Sequence, residues 1–311
     1  MPSQTFNRNP SASVVIPAYN AEAFLGLTLA SVAQQTFRDF EVIVVDDGSR
    51  DQTAQVAEEF LAKENMQGRC IRQENRKIAG ARNTGIRSAQ GEFIALLDHD
   101  DLWMPEKLER VMEAFSRWPE TDLICHNEQI LKDGKVVRIS QNHLGGGKAY
   151  EELLFRGNTL SPSAVVFRKA LFEQTGGFDE SPELNTVEDY DFWLRASRIG
   201  RIRYLNATLG AYVLVNSAAS NRVLYHYQNL EAMLKRHLKK YCEGECGWTG
   251  KIWARRRLAS VYRAALAGLR RQGIDPFAQQ RLSKKMIQTC YWDPKNILKY
   301  LEWRLSPTHE N

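Results

Sequence analysis

The sequence predicts an α/β protein, a mostly parallel sheet flanked by helices, with a helical region at its C-terminal end. Val14-Val15-Ile16 and Val42-Ile43-Val44-Val45 are uninterrupted β-branched runs, the pattern of parallel strands covered on both faces. Between them the apolar residues Phe24, Leu25, Leu27, Leu29 and Val32 are spaced for a helix. From Arg222 onward the patterning is helical only, with breaks near Cys242–Gly250 and Gly273–Pro276.

Each element follows from local chemistry. Ser13–Pro17 is a strand stopped by proline, residues 22–35 a helix, and Phe40–Val45 a strand stopped by Asp46-Asp47-Gly48-Ser49. Asp51–Asn65 supplies the next helix, Arg69–Arg72 a short third strand and Gly80–Ala89 a third helix. Phe93–Leu97 is a fourth strand that ends at Asp98-His99-Asp100-Asp101. In an open α/β sheet, strand ends of this kind gather into one ligand crevice. Pro105–Trp118 reads as a helix with Leu108, Val111, Met112 and Phe115 on one face. Leu123–His126 is a strand, and residues 130–137 form a hairpin around Asp133-Gly134. Gly145–Gly147 makes a flexible joint, followed by a strand at Ala164–Phe167, a short helix at Lys169–Gln174 and a helix at Glu188–Ser197.

With 311 residues, 43% apolar and 25% charged, the chain can bury a full core, which excludes disordered and fibrous classes. The net charge of +5 hides an asymmetry. Residues 1–220 carry 24 basic and 30 acidic side chains, whereas residues 221–311 carry 18 and 7. Five cysteines point to a reducing compartment rather than a disulfide framework. The polar first ten residues lack a leader's apolar core, and the longest uncharged run, between Arg203 and Arg222, is too polar to span a bilayer. The expectation is a cytoplasmic protein whose membrane contact, at the inner face of the plasma membrane, is peripheral.

The acidic turns carry the chemistry. Asp46-Asp47-Gly48-Ser49 alone is ordinary turn chemistry. Asp98-His99-Asp100-Asp101 places four titratable groups in succession, which repel unless a cation or a donor network lies among them. Hard divalent ions take oxygen ligands and bridge carboxylates to substrate phosphates.

Six motifs in order then carry a resemblance: Val14-Val15-Ile16-Pro17-Ala18-Tyr19-Asn20, Val44-Val45-Asp46-Asp47-Gly48-Ser49, Ala81-Arg82-Asn83-Thr84-Gly85, Leu96-Leu97-Asp98-His99-Asp100-Asp101, Gly177-Phe178-Asp179-Glu180 and Glu188-Asp189-Tyr190-Asp191-Phe192-Trp193-Leu194-Arg195. Together they resemble the family 2 glycosyltransferases, which have the Rossmann-like GT-A fold. The motifs span residues 14–195, about two thirds of the chain.

The resemblance implies a GT-A domain at residues 11–220 and leaves residues 221–311 as a basic helical extension. It implies transfer of a hexosyl or N-acetylhexosaminyl group from a nucleotide sugar, most readily a UDP-sugar, to a saccharide or lipid-linked saccharide in cell-surface polysaccharide synthesis. The anomeric centre would invert. Pro17, Ala18 and Tyr19 would frame the base, with Glu22 near the ribose. Asp47 would accept from a uracil ring N–H, and Arg82 would approach the diphosphate. Asp98 and His99 would lie against the ribose and the ion, and Asp100 would bind Mn²⁺ or Mg²⁺ on the diphosphate. Asp189 would be the general base, with Glu188 and Trp193 at the acceptor or sugar pocket; by its pattern alone Trp193 reads first as core, and in the pocket it would back the sugar.

One stretch departs from the family. Where many relatives carry Tyr-Arg-x-His, this chain has Tyr212-Val213-Leu214-Val215-Asn216, so either the metal has a thinner protein shell or His226 or another residue of the following helix substitutes; His226 by itself reads first as a surface or packed histidine. Cys242 and Cys246 lack the second ligand pair of a structural zinc site. His143 would sit in a mobile loop over the acceptor. The Lys235–Lys240 and Arg255–Arg257 clusters, interleaved with aromatics, suit a solvated bundle or an anionic membrane surface; no nucleic-acid motif accompanies them. The rival readings are a non-catalytic binding module on the same fold and a sugar nucleotidyltransferase, which would want a Gly-rich phosphate loop that Pro17-Ala18-Tyr19-Asn20 does not provide.

Overall fold

A computed structural model describes residues 9–141, 144, 148–214, 223–244, 247–272 and 276–304. The Gly145–Gly147 joint, His143, Val215, Asn216 and Cys246 lie outside the described residues. Among those described, β1 (Ala12–Ala18), β2 (Phe40–Asp46), β3 (Gly68–Arg72) and β4 (Phe93–Leu96) are parallel, alternating with α1 (Leu25–Ala33), α2 (Thr53–Lys63) and α3 (Lys77–Ser88). Every residue of β1 and β2 is buried, as their β-branched runs require.

Next come β5 (Leu102–Trp103), α4 (Lys107–Arg117), β6 (Leu123–Lys132), β7 (Lys135–Ser140), α5 (Ala149–Arg156), β8 (Val165–Arg168), α6 (Lys169–Thr175), α7 (Glu188–Ala196) and β9 (Ile202–Val213). The sheet order is β3-β2-β1-β4-β8-β6-β9-β5, with β7 paired to β6. β8 runs antiparallel to β4 and β6, while β6 and β9 are parallel. The α/β architecture is therefore as expected, with the antiparallel pairs confined to the half beyond β4.

Several bounds differ from expectation for identifiable reasons. The strand at Leu123 does not stop at His126. It continues through buried His126, Asn127 and Glu128 to Lys132, because polar core residues interrupted the apolar pattern without interrupting the strand. Asp133 and Gly134 both take positive φ, 49° and 72°, as a two-residue hairpin turn requires. Helix α3 begins three residues early and lies close on the sheet: a Cβ on Gly85 would come within 2.4 Å of Val15 Cγ1. That approach sets the depth of Arg82, on the same helix.

The chain divides into two compact units. The first comprises residues 1–150, 159–180 and 188–215 and contains the sheet. The second takes residues 151–158, 181–187 and 216–311, with α8 (Val223–Gly244), α9 (Trp248–Gln272), α10 (Pro276–Thr289) and α11 (Pro294–Arg304). Tyr262, Ala265, Leu269, Leu282 and Met286 form its core. Within it, Tyr225 Oη donates to the Pro182 carbonyl and Asn229 Nδ2 to the Asn185 carbonyl. His226 Nδ1 pairs with Thr186 Oγ1 at 3.1 Å. No helix among the described residues is long and apolar enough to cross a membrane.

Candidate active site

The carboxyl ends of β1, β2 and β4 meet at one edge of the first unit. Parallel register sets Ala18 against Asp46, and the Asp47 N–H donates to the Ala18 carbonyl at 2.9 Å. Asp47 is buried, and its Oδ1 accepts from Gln73 Nε2 (2.7 Å) and the Arg76 N–H (2.8 Å). Its Oδ2 makes no hydrogen bond among the described residues. The carboxylate is thus held rigidly with one oxygen left over. Pro17 and Ala18 are buried at the end of β1, and Tyr19 stands 45% exposed just beyond.

The loop after Tyr19 is stitched to the loop after β2. Asn20 N–H donates to Ser49 Oγ, Arg50 N–H to Asn20 Oδ1, Ala21 N–H to Thr53 Oγ1 and Gln52 N–H to Glu22 Oε2. Glu22 is exposed, and one of its oxygens fastens the two loops.

The acidic run after β4 splits by burial. Asp98, His99 and Asp100 are partly exposed; Asp101 is buried. Asp101 accepts from Ser163 Oγ at 2.6 Å and from the Val213 N–H at 3.1 Å, so it anchors the end of β9. Burial, then Asp98 and Glu128, raise its pKa well above the ordinary value. His99 directs Nδ1 to the Pro17 carbonyl at 3.2 Å, and Thr28 Oγ1 donates to its carbonyl. Burial raises the Asp100 pKa too, with Asp98 adding to the rise and His99 opposing it. A carboxylate in that state gains from a cation beside it.

Arg82 joins the halves of the site. It is 1% exposed, donating from Nη2 to Asp98 Oδ1 at 2.8 Å and from Nη1 to Glu188 Oε1 at 2.7 Å. Burial disfavours its charge, but Asp98, Glu188 and Asp189 hold its pKa above the ordinary value. Asp189 follows at the start of α7, with Oδ1 accepting the Tyr190 N–H at 2.7 Å. Part of its surface remains open to solvent although protein encloses it closely. Desolvation and Glu188 push its pKa up to about 7, while Arg82 works against the rise.

Asn83, next to Arg82, clamps the glycine-rich turn ahead of α7. Its Nδ2 donates to the Phe178 carbonyl and Glu180 Oε1, both at 2.8 Å, and its Oδ1 accepts the Phe178 N–H. Gly177 has φ +83°, and a Cβ there would lie 2.9 Å from Asn83 Oδ1.

Two predicted site residues turn inward. Trp193 has no exposed surface: it packs edge-on against Phe167, Phe178 and Phe192, so it backs α7 from the core and offers no face to a sugar. Glu188 is also buried, one oxygen on Arg82 and Oε2 without a hydrogen bond among the described residues. Its place is beside Asp189, next to it in the first turn of α7. Gln73, Arg76, Asn83 and Ser163 complete the site unannounced. Of these only Asn83 stood inside a recognised motif; loop-to-loop bonds have no periodic signature.

No group of three or more His, Cys, Asp or Glu among the described residues would hold a metal ion by itself. The donors present still fit a hard divalent cation supplied mainly with phosphate oxygens: Asp100 and Asp98 offer partly open carboxylates on one loop.

Comparison with known proteins bears on the family and the fold. Residues 13–176 match the family model of glycosyl transferase family 2. The Bacillus subtilis protein EpsH is 32% identical over 243 residues, covering 75% of this chain and 65% of that protein. Escherichia coli chondroitin synthase is 28% identical over 253 residues, 77% of this chain but 35% of the synthase. The chain thus spans about two thirds of the one and about a third of the other. Among solved structures, Staphylococcus aureus TarS with UDP-GlcNAc superposes at TM-score 0.58 and 21% identity, covering 90% of this chain and 89% of that one. The mannosyltransferase PcManGT of Pyrobaculum calidifontis, solved with GDP-Man and Mn²⁺, gives 0.58 at 18% identity, over 96% and 85%. The family match extends over more than half of the chain, and the superpositions share its fold: the chain belongs to glycosyltransferase family 2 and has a GT-A type of fold.

Proposed function

We propose that the protein moves one sugar from a UDP-sugar to a hydroxyl of a saccharide or lipid-linked saccharide, inverting the anomeric centre. The observation that carries this reading is Arg82, whose two ion pairs tie the Asp98 loop to Glu188 and so bring the acidic run to the helix bearing Asp189. Asp189 takes the acceptor hydroxyl proton, the acceptor oxygen forms its bond to the anomeric carbon, and the carbon–oxygen bond to the diphosphate breaks. The nucleoside diphosphate departs with that electron pair. A carboxylate poised near neutrality is suited to this transfer. When bound, Mn²⁺ or Mg²⁺ would neutralise charge on the leaving diphosphate; Asp100 would hold it, with Asp98 and His99 alongside.

Uridine is favoured because Asp47 is buried, fixed by Gln73 and Arg76, and keeps Oδ2 for a ring N–H. Pro17, Ala18 and Tyr19 would frame the base, with Glu22 near the ribose. TarS was solved with UDP and UDP-GlcNAc, which supports the same choice, while PcManGT was solved with GDP-Man. Residues 11–220 are the proposed catalytic region and residues 221–311 a helical extension. Exposed Trp248, Trp253 and Phe277 among its basic residues support peripheral contact with an anionic membrane at the cytoplasmic face.

The test is nucleotide release from a panel of UDP-, GDP- and dTDP-sugars, with Mn²⁺ and with chelator. A UDP-sugar should turn over, chelator should stop it, and Asp189→Asn should abolish transfer with donor binding intact. Unchanged turnover in that variant removes Asp189 as the base; turnover of a GDP-sugar alone overturns the donor assignment.

A further inference from the structure

The second unit contains a basic cavity of about 470 Å³, within the size range of small-ligand sites. Arg256, Arg257, Arg263 and Lys295 line it, with Trp253 and Phe155 as its aromatic surfaces. Asp293 is its one acidic lining residue and is already engaged, pairing with Arg263 at 3.5 Å and accepting the Lys295 N–H at 3.0 Å. Arg263 is held further by Asn296, and Arg257 Nε donates to the Leu154 carbonyl at 3.0 Å. Two guanidinium groups are therefore fixed in place before any ligand arrives. Arg256 and Lys295 are different: both are exposed, and neither side chain makes an ion pair or hydrogen bond among the described residues. Arg256 instead lies over the Trp253 ring, 5.7 Å from its centroid.

Like charges gathered in a concave pocket raise one another's energy, and an anion with several acceptor oxygens relieves all of them together. We propose that this pocket binds a phosphate or diphosphate ester, its oxygens on Arg256, Arg257 and Lys295 and its organic portion against Trp253. Two sources share that chemistry, a lipid-borne phosphate and a soluble one. The proposal stands apart from the transfer reading, since every contact invoked lies in the second unit.

The test uses the full chain with chelator present and inorganic pyrophosphate as the probe, followed by calorimetry. Wild type should show one saturable site. Arg256→Ala and Lys295→Ala should each weaken it by about tenfold, the worth of one charge-assisted contact. Lys239→Ala, which removes an exposed cation outside the pocket, should leave it unchanged. Equal binding by wild type and both pocket variants, or equal loss in Lys239→Ala, overturns the proposal; unchanged helical circular dichroism shows that the variants fold. Farnesyl diphosphate then separates the sources. Tighter binding than pyrophosphate, with the gain lost in Trp253→Ala, assigns the pocket to a lipid-borne phosphate, and equal affinities assign it to a soluble one.

Discussion

If Asp189 is the base, the rate must follow its ionisation, and the structure fixes both sign and size. Burial and Glu188 hold its pKa up to about 7. A protonated carboxyl cannot accept the acceptor's proton, so activity falls as pH drops through that value. About one enzyme in eleven is ionised at pH 6 and about ten in eleven at pH 8, so kcat/KM should rise about tenfold between them. Arg82 opposes the rise in pKa. Replacing it with methionine removes the opposing charge and should move the acid limb upward by about one unit; Arg82→Lys, which keeps the charge, should restore most of the position. The assay is initial-rate nucleotide release at several acceptor concentrations from pH 5.5 to 8.5, at fixed ionic strength and saturating cation. A flat profile, or an acid limb near the ordinary aspartate value that Arg82→Met leaves in place, would refute the assignment.

Three further outcomes follow from other parts of the molecule. Asp100→Asn should cut turnover by about two orders of magnitude and raise the Mn²⁺ concentration for half-maximal rate; an unchanged metal titration would remove Asp100 from the cation. Gly177→Ala meets both a positive φ and Asn83 Oδ1 at 2.9 Å, so denaturant titration should show a loss of about 1–3 kcal/mol. Lys107 is fully buried, with Nζ 3.2 Å from the Trp103 ring centroid and no hydrogen bond among the described residues. Lys107→Met should therefore stabilise the fold by about 1 kcal/mol. Burial lowers the Lys107 pKa well below 10.5, so the unfolded chain binds a proton that the folded chain refuses. Wild-type stability should thus rise with pH until about 10.5 and then level, and Lys107→Met should lack that rise.

The sequence disclosed the first half of the sheet because β1, β2 and β4 are buried on both faces and must be apolar throughout. It disclosed less of β6 and β9. His126 and Glu128 are buried in β6, and β9 mixes exposed and buried positions without alternation, so neither shows a strand period along its whole length. Helix α5 escaped notice for want of a long apolar face. In the site, Arg82, Asp98 and Asp189 could be named from motifs, but their partnership could not: Arg82 and Glu188 lie 106 positions apart. Asp47 could be named from its motif, yet Gln73 and Arg76, which orient it, sit in an irregular loop. Trp193 illustrates the opposite limit, since an aromatic beside an acid reads alike whether it faces a sugar or the core.

The composition of the second unit bears on the segment that leads into α7. Residues 181–187 belong to it, bonded to α8 through Tyr225, His226 and Asn229, and the peptide bond after Val187 leads directly into Glu188. Deleting the C-terminal helices would release that leash while leaving the loops after β1, β2 and β4 in the chain. The freed segment would regain backbone entropy of about 1–2 kcal/mol per residue, and the first turn of α7 would fray beside Asp189. If Asp189 is the base, a chain shortened in this way should keep its donor affinity and lose transfer rate, because the segment that leads into α7 has lost its partners.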